Sequence, residues 1–226
     1  MKKALILFFL VFGTVSLAHA DIINLHWSTF SQSNHPVATL NSGLRVYVGS
    51  FAATLDGKSI PDAYCVDLGH FLNGLPTSYN VVPGMTDTSS GFHTSVVASN
   101  IGRVAWLVNT YAPQVDSGAD AAALQLAIWE AAYETGALLN ITTGVFSASM
   151  NSANLGVLQQ ANIWLQSIGS NTSVASFFDY QGANPGGQDM ITTSPVPEPT
   201  TIILLGSGLI GAWGFRKKLG KKKNKK

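Results

Sequence analysis

The chain has 226 residues, one cysteine and 11% charged residues, and its formal net charge is +1. That charge averages two opposite regions, because residues 21–196 hold eleven acidic and three basic residues, a net of −8, while eight of the 13 Lys and Arg lie from Arg216 onward. An acidic central region disfavours nucleic-acid binding. A single cysteine excludes a disulfide scaffold and a multi-cysteine metal site.

The first 20 residues have the pattern of an export signal. Lys2 and Lys3 form a basic start, residues 4–12 form a short apolar core, and residues 18–20 read Ala-His-Ala, a small-x-small cleavage site. We therefore expect residues 1–20 to be removed, and we leave them out of the fold prediction.

Residues 21–193 are predicted to form one α+β domain, with a β-rich core, barrel or sandwich-like, around a helical subdomain in the middle of the chain. Alternating apolar residues predict strands, and apolar residues at helical spacing predict helices. Asp116 or Ser117 is a candidate N-cap for the second helix. The predicted strands are 22–30, 44–51, 62–71, 174–180 and 188–193, the predicted helices are 95–111, 120–135 and 155–168, and 75–91 is predicted to be a loop.

Residues 194–226 have three parts: Pro197, Glu198 and Pro199, then an apolar stretch at 200–215, then a basic tail. The tail holds its end on the cytoplasmic side of a membrane. The apolar stretch is shorter than the roughly 20 residues that span a bilayer comfortably, which suits a signal that is read and cut. A plain C-terminal anchor is the alternative.

This tripartite segment resembles the PEP-CTERM sorting signal of Gram-negative, exopolysaccharide-producing bacteria. The resemblance implies export, transient anchoring in the inner membrane by residues 200–215, and cleavage near Pro197, Glu198 and Pro199 by an exosortase-type protease. The mature protein would then be released or attached at the outer surface.

Two residues of the predicted domain call for an explanation. Cys65 is an odd cysteine in an exported chain, where it forms an intermolecular link or serves as a reactive thiol. Gln125 lies in the apolar helix at 120–135, where an unpaired buried amide costs about 1–3 kcal/mol. A Cys thiol and a Gln amide can condense into an internal thioester with release of ammonia, which explains both. Tyr64 and Trp129 are the candidates for the cover that excludes water.

A cysteine hydrolase is the competing chemistry for Cys65. His70 and His93 could accept the thiol proton, and Asp67 and Asn109 could orient the histidine. However, the sequence around Cys65 carries none of the local nucleophile signatures, and no helix N-terminus follows it to lower the pKa of the thiol. The histidines lack the close spacing of metal ligands, so we expect no metal and no cofactor.

Three stretches resemble the thioester domain of bacterial surface adhesins. They are "YCVDLGHF" at 64–71, "LQLAIWEAAYE" at 124–134, and "NIGRVAWLVNTYAP" at 100–113, which is similar to the helix and turn before the family's glutamine helix. The resemblance implies that Cys65 supplies the thiol and Gln125 the acyl group. The chain departs from the family at Leu124, where Thr is common, and its Gram-negative sorting tail departs from a family best known from Gram-positive cell walls.

A shielded thioester is an electrophile that an amine can open. We expect an amine on a target to attack the Gln125 acyl carbon and to expel Cys65, in a single-use reaction that is not enzymatic. Lys58 is the only lysine in residues 21–196, as expected for a protein that carries an amine-reactive bond. The expected partners are an amine-bearing surface protein, or extracellular matrix or exopolysaccharide. The alternatives are a structural biofilm-matrix protein with a free thiol and, third, a secreted cysteine hydrolase.

Overall fold

The computed structural model describes residues 21–27, 35–55, 58–70, 77–85, 98–136, 138–180 and 188–193. Single turns of 3₁₀ helix lie at Ala98–Asn100, Ala112–Gln114 and Ser152–Asn154. The strands and helices are β1 (Asp21–Trp27), β2 (Val37–Leu40), β3 (Arg45–Tyr47), β4 (Phe51–Leu55), β5 (Lys58–Cys65), β6 (Thr77–Met85), α1 (Ile101–Tyr111), α2 (Gly118–Tyr133), β7 (Ala148–Ser149), α3 (Leu155–Ser167), β8 (Ala175–Tyr180) and β9 (Met190–Thr192).

Six strands close into a barrel in the order β1-β4-β5-β9-β8-β6, and each neighbouring pair is antiparallel. Closure pairs every strand on both sides, so the barrel exposes no continuous edge. A second sheet has the order β3-β2-β7. The predicted α+β class with a β-rich core and a helical middle is therefore confirmed, and the core is a barrel.

The predicted loop at 75–91 is wrong in part, because β6 occupies Thr77–Met85 and pairs with β1 and β8. Pro83 and Gly84 gave this segment the composition of a turn. The register with β8 shifts between Val82 and Met85, so the proline falls at an irregularity in the ladder, where its missing N–H is tolerated.

The predicted strands on either side of β4 also have different limits. The stretch at 44–51 is divided between two sheets. β3 pairs with β2 in the small sheet, whereas β4, which starts at Phe51, belongs to the barrel. The buried residues 48–50 carry the chain from one sheet to the other. The strand predicted at 62–71 begins earlier, at Lys58, and ends at Cys65. The short strands β2 and β7 were not predicted.

Helix α2 is the central element of the helical layer and is buried along its length from Ala121 to Ala132. Its small alanines allow α1, α3 and β5 to pack closely around it. The Ser117 side chain accepts a hydrogen bond from the Asp120 N–H at 3.1 Å, which confirms one of the two predicted N-caps. Because α2 packs against β5, its side chains reach the end of that strand.

The predicted signal peptide at 1–20, the apolar stretch at 200–215, the Pro-Glu-Pro motif and His93 all lie outside the described residues. Within the ranges that the structure describes, no helix is long and apolar enough to cross a membrane.

Candidate functional site

Cys65 is the last residue of β5, and its side chain is 5% exposed. It lies opposite Met190 on β9, and the next residue continues this pairing through a hydrogen bond from the Val66 N–H to the Asp189 carbonyl. Burial raises the pKa of the Cys65 thiol, and the nearby Asp67 carboxylate raises it further. The sulfur is therefore held as a neutral thiol at the meeting point of two barrel strands.

Gln125 binds the backbone of Cys65 with both ends of its amide. The Cys65 N–H donates to Gln125 Oε1 at 2.8 Å, and Gln125 Nε2 donates to the Cys65 carbonyl at 2.7 Å. β4 begins at Phe51, which pairs with Ala63, so the glutamine takes the place of a neighbouring strand beyond the start of β4. This explains a polar side chain on a buried helix, since both of its polar groups are paired.

Gln188, which sequence reasoning missed, is the side chain that contacts the thiol. Cys65 Sγ donates to Gln188 Oε1 at 2.8 Å, and Gln188 Nε2 donates to the Asp67 carbonyl. Since a C=O bond is about 1.23 Å long, the carbonyl carbon Cδ of Gln188 lies within about 4 Å of the sulfur. The hydrogen bonds of Gln125 go to the backbone instead. The predicted covalent bond between Cys65 and Gln125 stays a prediction, and the geometry at the sulfur favours Gln188.

Asp67 and His70 form a pair beside the thiol. The two Asp67 oxygens contact His70 Nδ1 and the Gly69 N–H, the latter at 2.6 Å. Asp67 is almost fully buried, whereas His70 is 25% exposed. The structure thus brings together two of the residues considered for a hydrolase. Asn109 lies elsewhere, since its amide joins α1 to Ser173 and Val174.

A pocket of about 240 Å³ opens onto these groups. Trp129 lines it one helical turn after Gln125 and is 3% exposed, and its role as cover stays a prediction. Tyr64 is fully buried but points into the core, and it is not among the described residues that line the pocket. The described lining consists of Leu44, Arg45, Val46, Tyr47, Gly49, Phe51, Cys65, Leu68, His70, Gln125, Trp129 and Gln188.

The missed glutamine had only a weak signal in the sequence. Gln188 is the first residue of the strand predicted at 188–193, directly after the Gly-rich sequence at 182–187, and nothing in its neighbours marks it. Gln188 is 123 residues further along the chain than Cys65. Its place at the thiol depends on the pairing of β5 with β9. Across the described residues, no three His, Cys, Asp or Glu side chains are grouped as metal ligands.

Residues 195–218 match the PEP-CTERM protein-sorting motif, which confirms the predicted sorting signal around Pro197, Glu198 and Pro199. The motif marks the chain for export and membrane-associated sorting, with processing by exosortase-type machinery. No curated protein matches the sequence. Among solved structures, the chain is similar to the N-terminal thioester domain of fibronectin-binding protein SfbI from Streptococcus pyogenes, with 11% identity and a TM-score of 0.43 over 74% of this chain and 97% of that one.

Proposed function

We propose that this protein is an exported surface-binding module whose Cys65 thiol and Gln188 amide condense into an internal thioester. The single observation that carries the proposal is the 2.8 Å contact between Cys65 Sγ and Gln188 Oε1, in a buried site with the carbonyl carbon within reach of the sulfur. Positioning two reacting groups in this way removes most of the entropic barrier to a reaction between them.

The condensation balances with the groups that are present. The sulfur of Cys65 forms a bond to Cδ of Gln188, the bond from Cδ to Nε2 breaks, and the thiol proton leaves with Nε2 as ammonia. The Asp67 carbonyl accepts a hydrogen bond from Nε2 and so holds the leaving group in place. Burial then protects the thioester from water.

Gln125 has a supporting role in this proposal. To reach the sulfur, its amide would have to give up both hydrogen bonds to the Cys65 backbone, and it would leave a buried N–H and a buried carbonyl unpaired. Kept where it is, the amide fixes the position of Cys65 relative to α2.

The mature module would couple to a target amine, which attacks Cδ of Gln188 and releases the Cys65 thiol. The scarcity of lysine supports this chemistry. Lys58 is exposed at the opposite end of β5, seven residues from Cys65 and therefore about 23 Å away along the strand. We propose as targets an amine-bearing surface protein or the extracellular matrix, reached after export. Each molecule reacts once, so the protein is not an enzyme.

The raised pKa of Cys65 favours this function over a cysteine hydrolase. A hydrolase needs a thiolate near neutral pH, and such thiols have a lowered pKa in electropositive, accessible surroundings. Here the burial of the sulfur and the Asp67 carboxylate both act in the opposite direction. Intact mass distinguishes the proposed module from a matrix protein with a free thiol, because the matrix protein would keep its full sequence mass.

The test is the intact mass of the exported domain, prepared fresh at neutral pH without reductant. We expect it to weigh one ammonia less than its sequence. Methylamine should then add once, Cys65 should become open to alkylation, and peptide sequencing by mass spectrometry should find the methylamide on Gln188. A methylamide on Gln125 would show that the bond forms at Gln125, as the sequence resemblance implies, and a full sequence mass would overturn the thioester altogether.

Matched variants test the assignment of Gln188. Cys65→Ala and Gln188→Ala should each weigh their full sequence mass, because each removes one half of the bond. Gln159→Ala changes an exposed glutamine on α3 and should keep the lighter mass of the wild type. Gln188→Ala with the lighter mass would contradict the proposal.

A further inference from the structure

We infer that Asp67 and His70 form a proton-transfer dyad for this thioester: His70 is the general base that takes the proton from the attacking amine, and Asp67 positions it. The inference rests on the proposed Cys65–Gln188 bond and assigns residues to its chemistry. It is carried by the geometry of one pocket, which has the thiol, the acyl group and the imidazole in its wall.

The position of the attacking nitrogen follows from the amide that precedes the thioester. Aminolysis is the reverse of the condensation, so the nitrogen of the incoming amine arrives where Nε2 of Gln188 now lies. That site is marked by the hydrogen bond from Nε2 to the Asp67 carbonyl. The backbone of Asp67 therefore accepts a hydrogen bond from the nucleophile, while the carboxylate of the same residue holds His70.

The imidazole of His70 and the acyl group of Gln188 share the wall of one small pocket. The volume of this pocket is about 240 Å³. In this proposal, an amine held at the Asp67 carbonyl, beside the pocket, reaches the His70 ring directly or through one water, which is the requirement for a general base.

The contact of Nδ1 with the Asp67 carboxylate also determines the tautomer of His70. A neutral imidazole that donates from Nδ1 to a carboxylate carries its lone pair on Nε2. The second Asp67 oxygen is held by the Gly69 N–H at 2.6 Å, so the carboxylate is fixed at both ends. This is the orientation that a base requires.

The proton balance closes without another reactant. The amine nitrogen forms a bond to Cδ of Gln188, the bond from Cδ to Sγ breaks, and the electron pair stays on sulfur as a thiolate. Nε2 of His70 takes the proton from the new ammonium nitrogen and passes it to the sulfur. The products are the amide and the neutral thiol that burial favours.

The test compares rates of methylamine uptake, followed by intact mass, for the wild type, His70→Gln and Asp67→Asn. We expect His70→Gln to react about 100-fold more slowly, the lower range of general-base catalysis, and added imidazole to restore part of the rate. Asp67→Asn should also react more slowly, because an amide in place of the carboxylate no longer fixes the tautomer. His35→Gln is the matched control, since His35 lies outside the described pocket lining, and it should react like the wild type.

Each outcome bears on a separate statement. A wild type at full sequence mass overturns the thioester and the dyad with it. A wild type that is lighter by one ammonia, with His70→Gln reacting at the same rate, overturns the dyad alone. If His70→Gln melts cooperatively but retains its ammonia, the block lies in the condensation. Ammonia loss on addition of imidazole then supports the dyad, and continued retention overturns it.

Discussion

Two regions around helix α2 satisfy their buried polar groups in different ways. In the thiol corner (Cys65, Asp67, Gln125 and Gln188), the groups that contact Cys65 are neutral amides, and each amide is paired at both ends. At the α2 terminus (Arg103, Glu130, Glu134 and Asn140), charged side chains also take part, beside the neutral Asn100 amide that donates to the carbonyls of Ala132 and Glu134. There, Arg103 donates to the carbonyls of Ala131 and Glu134 at 2.7 and 2.5 Å.

The difference has a physical consequence for the sulfur. A cation beside Cys65 would stabilise the thiolate, whereas neutral amides fix its position without favouring ionisation. The α2 terminus has no such constraint, so a guanidinium there can satisfy the last carbonyls of the helix and complement its dipole. The side chains that contact Cys65 are all neutral, whereas the end of the same helix also uses a guanidinium and two carboxylates.

The largest expected effect comes from removing the proposed bond. By analogy with a disulfide, a link between residues 123 positions apart stabilises by about 3–5 kcal/mol, less any strain in the thioester. Cys65→Ala and Gln188→Ala should each lower the free energy of unfolding by about that amount, and the double variant should lose little more. Chemical denaturation measures all three. Losses that sum would show that the two residues act independently.

The second effect is a loss of stability when the hydrogen bonds between the Gln125 amide and the Cys65 backbone are removed. Gln125→Leu leaves the N–H and the carbonyl of Cys65 buried and unpaired, so we expect a loss of about 2–4 kcal/mol. Gln159→Leu, on the exposed face of α3, is the control and should change stability little. Equal denaturation midpoints for the two variants would mean that the amide at 125 does not support the strand.

The thiol corner shows what sequence reasoning can and cannot reach. Cys65 is unique in the chain, and Gln125 interrupts an apolar periodicity, so local patterns identify both. Gln188 interrupts nothing, and only the non-local pairing of β5 with β9 makes it a neighbour of the sulfur. Strand β6 was missed for a related reason, since Pro83 and Gly84 lie at an irregularity that only the partner strand reveals.

The third effect is a loss of stability at the α2 terminus. Gly144 has φ +111°, and a Cβ there would lie 2.1 Å from Glu134 Oε2, the oxygen that accepts from the Val145 N–H at 2.7 Å. Gly144→Ala should therefore cost about 1–3 kcal/mol through backbone strain and displacement of the carboxylate. Gly156→Ala is the control, because nothing lies within 4 Å of its Cβ and it sits inside α3. That variant should be neutral or slightly stabilising.

The smallest effect is a pH dependence of stability, which has opposite signs for Glu130 and Glu134. Burial raises the pKa of Glu130 from 4.5 to about 7, so the folded chain binds this proton more tightly than the unfolded chain. Its contribution to stability is therefore lost as the pH rises from about 4.5 through 7. Hydrogen bonds from the Gly136 and Val145 N–H groups hold the pKa of Glu134 below its usual value, so its contribution is present above that value and is lost as the pH falls.

Melting temperatures of the wild type, Glu130→Gln and Glu134→Gln at pH 3.5, 5 and 8 separate the two glutamates. Glu130→Gln keeps an acceptor for the Asn140 N–H, which donates to Glu130 at 2.8 Å in the wild type, and it removes the titrating group together with its charge interaction with Arg103. It should lose less stability than the wild type between pH 5 and pH 8, because nothing buried has to ionise. Glu134→Gln should instead lose less between pH 5 and pH 3.5. If both variants follow the wild-type curve, the charges at the α2 terminus are not what distinguishes it from the thiol corner.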